Sequence, residues 1–159
     1  MARKVGGKTP GDAYEKAIAL LARREHSSRE LKTKLARRGF DAGVNSATLE
    51  RLQSKDFQND ARFGQMLVRS RLEGGYGARW IVAELRTHGI DEQAARALID
   101  AAEPDWPALI RRQLRRRYGA KRAADFAERR KRAAFLLRRG FDAATVSSIT
   151  RTDSLDDSD

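Results

Sequence analysis

One short junction occurs three times in the chain: Arg37-Arg38-Gly39-Phe40-Asp41, Thr87-His88-Gly89-Ile90-Asp91 and Arg138-Arg139-Gly140-Phe141-Asp142, with the glycines 50 and 51 residues apart. Each reads as a helix end, where glycine takes the left-handed conformation, followed by an aspartate that caps the next helix. A fixed period of this size marks a tandem array of small helical units. The apolar positions ahead of the junction repeat as well. Leu31 and Leu35 stand eight and four residues before Gly39, as Ile81 and Leu85 do before Gly89. The third copy keeps Leu136 but has Arg132 at the earlier position. Prolines occur only at 10, 104 and 107, so residues 11–103 are free to be helical. Apolar residues there recur every three or four positions without sustained alternation, which is the period of amphipathic helices and not of strands. The expected fold is all-α, an elongated curved array of three tandem three-helix repeats.

The spacing predicts helices over 11–25, 27–38 and 42–54, then 60–73, 78–88 and 91–102, then 105–118, 120–139 and 142–150. The corresponding repeats are 11–56, 57–104 and 105–151. Ser27-Ser28-Arg29-Glu30 reads as a capping box at the second helix start. A three-helix unit of about 45 residues buries little apolar surface alone, so neighbours must share surface. The polar ends, 1–10 and the acidic 152–159, are expected to be disordered, and the four aspartates of the tail to be solvated.

Charge is concentrated in the third repeat. The 159 residues carry 33 Lys and Arg against 22 Asp and Glu, a formal net charge of +11. Residues 107–151 hold 14 basic and 3 acidic side chains, whereas residues 1–106 hold 19 and 15. Arginine outnumbers lysine 25 to 8. Bidentate contact with phosphates or carboxylates accounts for that bias, as does a GC-rich coding sequence with solvated helix faces. With no cysteine, disulfide scaffolds, thiolate zinc sites and cysteine nucleophiles are excluded. No stretch approaches the ~20 apolar residues of a membrane span, and Val5-Gly6-Gly7-Lys8 stands where a signal peptide needs its apolar run. A cytoplasmic protein without membrane contact is expected.

Catalytic chemistry has little to work with. His26 and His88 fall at predicted helix ends, where a cation suits the dipole, and neither has further metal ligands nearby in sequence. Gly74-Gly75-Tyr76-Gly77 lacks the Lys-Ser or Lys-Thr and the preceding strand of a phosphate loop, so it reads as a flexible helix connector. No enzyme activity, cofactor or metal is expected.

Binding chemistry is plentiful. In the helix Arg111-Arg112-Gln113-Leu114-Arg115-Arg116-Arg117-Tyr118, the residues Ile110, Leu114 and Tyr118 form one apolar stripe. Arg111, Arg112, Arg115 and Arg116 spread over the opposite arc, and Arg117 lies beside the stripe. The next helix adds Lys121, Arg122, Arg129, Lys131, Arg138 and Arg139, with Arg130 and Arg132 nearer its apolar face. These eleven cations, leaving out Arg130 and Arg132, are the candidate contacts with an anionic partner, either nucleic acid or an acidic protein surface. No zinc-finger spacing or base-reading helix is present, which favours backbone contact over sequence-specific reading.

Phe57-Gln58-Asn59-Asp60-Ala61-Arg62-Phe63-Gly64, followed by Gly75-Tyr76-Gly77, Ile81, Glu84-Leu85-Arg86 and Gly89-Ile90-Asp91, resembles the central signature of the RecX family of regulatory proteins. Phe135-Leu136-Leu137-Arg138-Arg139-Gly140-Phe141-Asp142 resembles the family's C-terminal motif, and the stretch from Ala17 to Phe40 matches its opening. The resemblance spans about residues 12–150. One departure is Gly64, where the family usually has alanine, a change that loosens a helix by about 1 kcal/mol. The resemblance implies a cytoplasmic inhibitor of the RecA recombinase, without catalytic residues, that binds the RecA–DNA filament and limits its extension or promotes its disassembly; a monomer is expected. An independent, non-sequence-specific DNA-binding protein using the same arginines is the alternative.

Overall fold

In the computed structural model the described residues, 8–152, form nine helices: α1 (Pro10–Leu21), α2 (Ser28–Arg37), α3 (Ala42–Ser54), α4 (Asp60–Glu73), α5 (Ala78–Thr87), α6 (Glu92–Ala101), α7 (Trp106–Tyr118), α8 (Phe126–Arg138) and α9 (Ala143–Thr152). No strand occurs among the described residues. The acidic tail from Asp153 and the first seven residues lie outside them.

The three repeated junctions are the same structure. Gly39, Gly89 and Gly140 have φ of 89°, 80° and 88°. The amide after each glycine donates five residues back, Phe40 to Leu35 at 3.2 Å, Ile90 to Leu85 at 3.1 Å and Phe141 to Leu136 at 3.2 Å. This is the Schellman closure that satisfies the orphan carbonyls of a helix end. The next residue caps the following helix: Asp41 accepts from the Val44 amide, Asp91 from Ala94 and Asp142 from Thr145.

The chain divides into two compact units between Met66 and Leu67. In the first, α1–α3 enclose Ala17, Leu31, Leu35, Leu49 and Leu52. The opening of α4 is joined to this unit by Asp60, which accepts from the Ser28 amide at 2.8 Å and its hydroxyl at 3.0 Å, and by Gln58, which donates to the His26 carbonyl. The Ser27 hydroxyl caps α2 by accepting from the Glu30 amide. The Glu30 carboxylate pairs with Arg24 and Lys34.

His26 is not an exposed helix-end cation. It is 2% exposed in the α1–α2 link, with Nδ1 3.0 Å from the Arg24 carbonyl and Nε2 3.1 Å from Lys34 Nζ. A neutral ring carrying its proton on Nδ1 satisfies both partners. Burial holds its pKa below the ordinary histidine value. The unfolded chain therefore binds a proton near pH ~6.5 that the folded chain resists, so stability is full above that pH and falls below it until His26 protonates in the fold. Glu30 adds a second loss at lower pH. Its burial would raise the carboxyl, but Arg24 and Lys34 outweigh it and bring the pKa from 4.5 to about 2, so this contribution fades as pH falls from 4.5 toward 2. The urea midpoint should drop between about pH 7.5 and about pH 5.5, and His26→Gln should reduce that drop. Equal pH dependence in both proteins would exclude His26 as its source.

The second unit takes the rest of α4 and α5–α9. Ile81, Val82 and Leu85 of α5 are buried, as are Ala95 and Ile99 of α6. In the third repeat Ile110, Leu114, Phe135, Leu136, Phe141, Val146 and Ile149 form one core, with Tyr118 edge-on to Phe135. The expected helix over 120–139 is shorter at its start. Gly119, with φ of 72°, ends α7, and Asp125 caps α8 by accepting from the Glu128 amide at 2.8 Å, leaving 119–125 as a loop.

The Gly74–Gly77 segment is not a free connector. The Gly77 amide donates to the Arg139 carbonyl at 2.8 Å and the Arg79 amide to the Gly140 carbonyl at 3.1 Å. Side chains at these positions would collide with the facing backbone or side chain. A Cβ on Gly77 would lie 2.3 Å from Gly140 C, one on Gly140 would lie 2.4 Å from Trp80 N, and one on Gly75 would meet the Gln113 side chain. The glycines are there to let the second and third repeats touch.

Candidate functional site

The third repeat presents its cations in two different ways. Arg111, Arg115, Lys121 and Arg122, with Leu114, Gly119, Ala120 and Arg132, line a cavity of about 290 Å³ between the end of α7 and the 119–125 loop. Its lining residues are basic or apolar. The loop that replaces the expected helix start brings Lys121 and Arg122 beside α7, so a concave basic pocket forms where a helical wheel shows only a convex arc. Such a pocket concentrates positive potential and suits a phosphate or a partner's carboxylate.

Arg132, at the position of Leu31 and Ile81 in the other repeats, is 4% exposed. Its guanidinium lies 4.7 Å from the Tyr118 ring centre, donates to the Lys121 carbonyl at 3.0 Å and pairs with Glu128 at 2.8 Å. Its long apolar stem packs where leucine would, and its two Nη atoms are bonded at the rim, while Nε is buried without a hydrogen-bond partner. Glu128 also accepts from the Ala124 amide, and this bond, with Arg132, holds its carboxyl below the usual value.

Elsewhere in the repeat Arg116, Lys131 and Arg138 are exposed and Arg129 is half-buried. Arg117 is exposed but lies over the Phe135 ring at 4.6 Å, which ties it to the core edge. Arg112 and Arg139 are engaged within the protein. Arg112 Nη2 donates to the carbonyls of Leu72 and Glu73 at 3.2 and 3.3 Å, closing the end of α4. Arg139 donates to the Gly74 carbonyl at 3.1 Å and stacks 4.6 Å from Tyr76. Of the eleven sequence candidates, four share the pocket and these two grip the second repeat. Sequence reasoning missed Gln113, buried against Gly75, and Trp80, 44% exposed beside the junction. The signal for Gln113 was a lone uncharged polar residue among arginines.

Among the described residues, no cluster of three or more His, Asp or Glu is placed to hold a metal ion. No helix among them is long and apolar enough to cross a membrane.

Comparison with known proteins agrees with this architecture. Family models for the first, second and third three-helix domains of RecX match residues 13–52, 59–99 and 103–149. A regulatory protein RecX of Stenotrophomonas maltophilia is 44% identical over 139 residues, covering 87% of this chain and 85% of that protein. One from Xanthomonas axonopodis pv. citri is 42% identical over 151 residues, covering 95% and 91%. In fold, a crystal structure of RecX from Lactobacillus salivarius superposes with a TM-score of 0.72 at 21% identity, over 92% of this chain and 97% of that one. A second, of regulatory protein RecX, gives 0.76 at 19% identity, over 89% and 73%. With three helical repeats, their shared glycine–aspartate junctions and relatives matched over nearly its whole length, the chain belongs to the RecX family of regulatory proteins.

Proposed function

We propose that the protein is a negative regulator of the RecA recombinase, binding the RecA–DNA filament and limiting its extension or promoting its disassembly, so that recombination and SOS induction are restrained. The observation that carries this reading is the concave basic pocket that brings Arg111, Arg115, Lys121 and Arg122 together in a chain of a regulatory family. Its chemistry matches a nucleoprotein filament, which offers DNA phosphates and acidic protein surface side by side. Arg116, Arg129 and Lys131, in the same repeat, extend the contact. The protein acts as a cytoplasmic monomer, by occupancy, with no cofactor.

The density of charge, 14 basic against 3 acidic residues over 107–151, supports a second reading as an independent DNA-binding protein. RecA ATP hydrolysis on single-stranded DNA, with and without the protein, tests the first. Suppression of turnover is the expected result, and unchanged turnover at saturating protein removes that reading. Repeating the titration at salt that abolishes naked-DNA binding separates the two, because phosphate contacts weaken steeply with salt. Inhibition that vanishes with DNA binding favours the second.

A further inference from the structure

Trp80 is an exposed aromatic side chain held in one orientation. It stacks on Tyr76 with ring centres 4.8 Å apart and planes at 29°. Glu84, one turn further along α5, lines the same face, and its carboxylate is fixed by two bonds from Arg71, at 2.6 and 2.7 Å. Arg139 lies 4.6 Å from the Tyr76 ring. A solvated tryptophan without function would have no need of these restraints. Beside it runs a groove of about 530 Å³ lined by Arg71, Tyr76, Trp80, Ala83, Glu84 and Thr87.

The surroundings select the occupant. The Arg79 amide is bonded to the Gly140 carbonyl, so exposed Arg79 sits against the helix end that carries Arg138 and Arg139. Glu84 in the groove is matched by Arg71, and Asp142 near Arg79 is outnumbered by Arg79, Arg138 and Arg139. The flat aromatic surface is therefore bordered by surplus positive charge and suits a polyanion that carries flat rings. Bases stack on such surfaces whatever their identity, while cations take the backbone. A duplex keeps its bases stacked inside and has no face to offer.

We propose that the Tyr76–Trp80 stack is a binding site for one unpaired base of a single-stranded nucleic acid, with Arg79 and Arg138 meeting the flanking phosphates. The site is separate from the α7 pocket, and it stands without RecA as the partner. Stacking is a short-range contact that releases no counterions, so it adds affinity without changing the salt dependence.

The test uses the full chain with Trp106→Phe, which leaves Trp80 as the remaining tryptophan. Titration with oligothymidylate should quench its fluorescence. An abasic strand of equal length, with the same phosphates and no bases, should bind about 5- to 150-fold more weakly, the range of one stacked base. Trp80→Ala should lower oligothymidylate affinity over the same range with the slope against salt unchanged, and Trp80→Phe should restore most of the loss. Equal binding of the abasic strand overturns the proposal, as does wild-type affinity of Trp80→Ala. Loss in Trp80→Ala that Trp80→Phe does not recover overturns it too. If Trp80→Ala weakens only binding to RecA filaments, the groove is a protein contact and the proposal fails, whereas failure of RecA inhibition alone leaves it intact.

Discussion

Gly77→Ala should destabilise the protein by about 2–4 kcal/mol although its backbone suits alanine. With φ of −89°, position 77 asks for no left-handed conformation. At such a position alanine ordinarily stabilises by about 0.4–1 kcal/mol through the unfolded chain. The sign is reversed by contact. The added Cβ falls 2.3 Å from Gly140 C and from Phe141 N, backbone atoms that cannot swing aside while the Gly77 and Arg79 amides stay bonded to Arg139 and Gly140. Gly140→Ala meets both penalties, a φ of 88° and a Cβ 2.4 Å from Trp80 N, and should lose at least as much. Gly89→Ala supplies the scale: with φ of 80° it should lose about 1 kcal/mol from its left-handed conformation. Urea midpoints of the three variants check the order, and hydrogen exchange should show the Gly77 and Arg79 amides deprotected in the first two only. Three equal losses would mean that the second and third repeats do not touch in this way.

Reversing Arg111, Arg115 and Arg116 together to glutamate should abolish inhibition of RecA while the far-UV spectrum and urea midpoint stay near wild type. All three are exposed on α7, away from the core side chains Ile110 and Leu114. Single exposed pairs contribute only ~0–1 kcal/mol, so one substitution does little. Three reversals turn attraction into repulsion over a whole face, against the ~1.4 kcal/mol that shifts affinity tenfold. Arg112 does not belong in that set although the wheel puts it on the same arc. Arg112→Glu would set a carboxylate against the Leu72 and Glu73 carbonyls, so it should lower stability and disturb the junction between repeats. A triple variant that loses naked-DNA binding but still inhibits RecA would assign the pocket to DNA. One that loses neither would leave the arginine surplus a solvated face.

What the residues determined by themselves is local. The helix ends at Gly39, Gly89 and Gly140, the caps at Asp41, Asp91 and Asp142 and the matched apolar pairs follow from neighbours within five positions, where dihedral preference and capping act. The 50-residue period then carries the all-helical repeat fold. What the tertiary structure decided is the role of each polar residue. Arg112 and Arg115 differ by less than one helical turn, yet Arg112 meets the end of α4, forty residues earlier, and Arg115 meets open solvent at the pocket. His26 read as a helix-end cation and is a buried neutral ring, because Lys34 and the Arg24 carbonyl close around it. Gly75 and Gly77 read as slack, yet a Cβ would collide with the Gln113 side chain at the first and with the Gly140–Phe141 backbone at the second. A helical wheel gives the angle of a side chain, but what lies along that angle depends on distant segments, and burial and hydrogen bonding are settled only there.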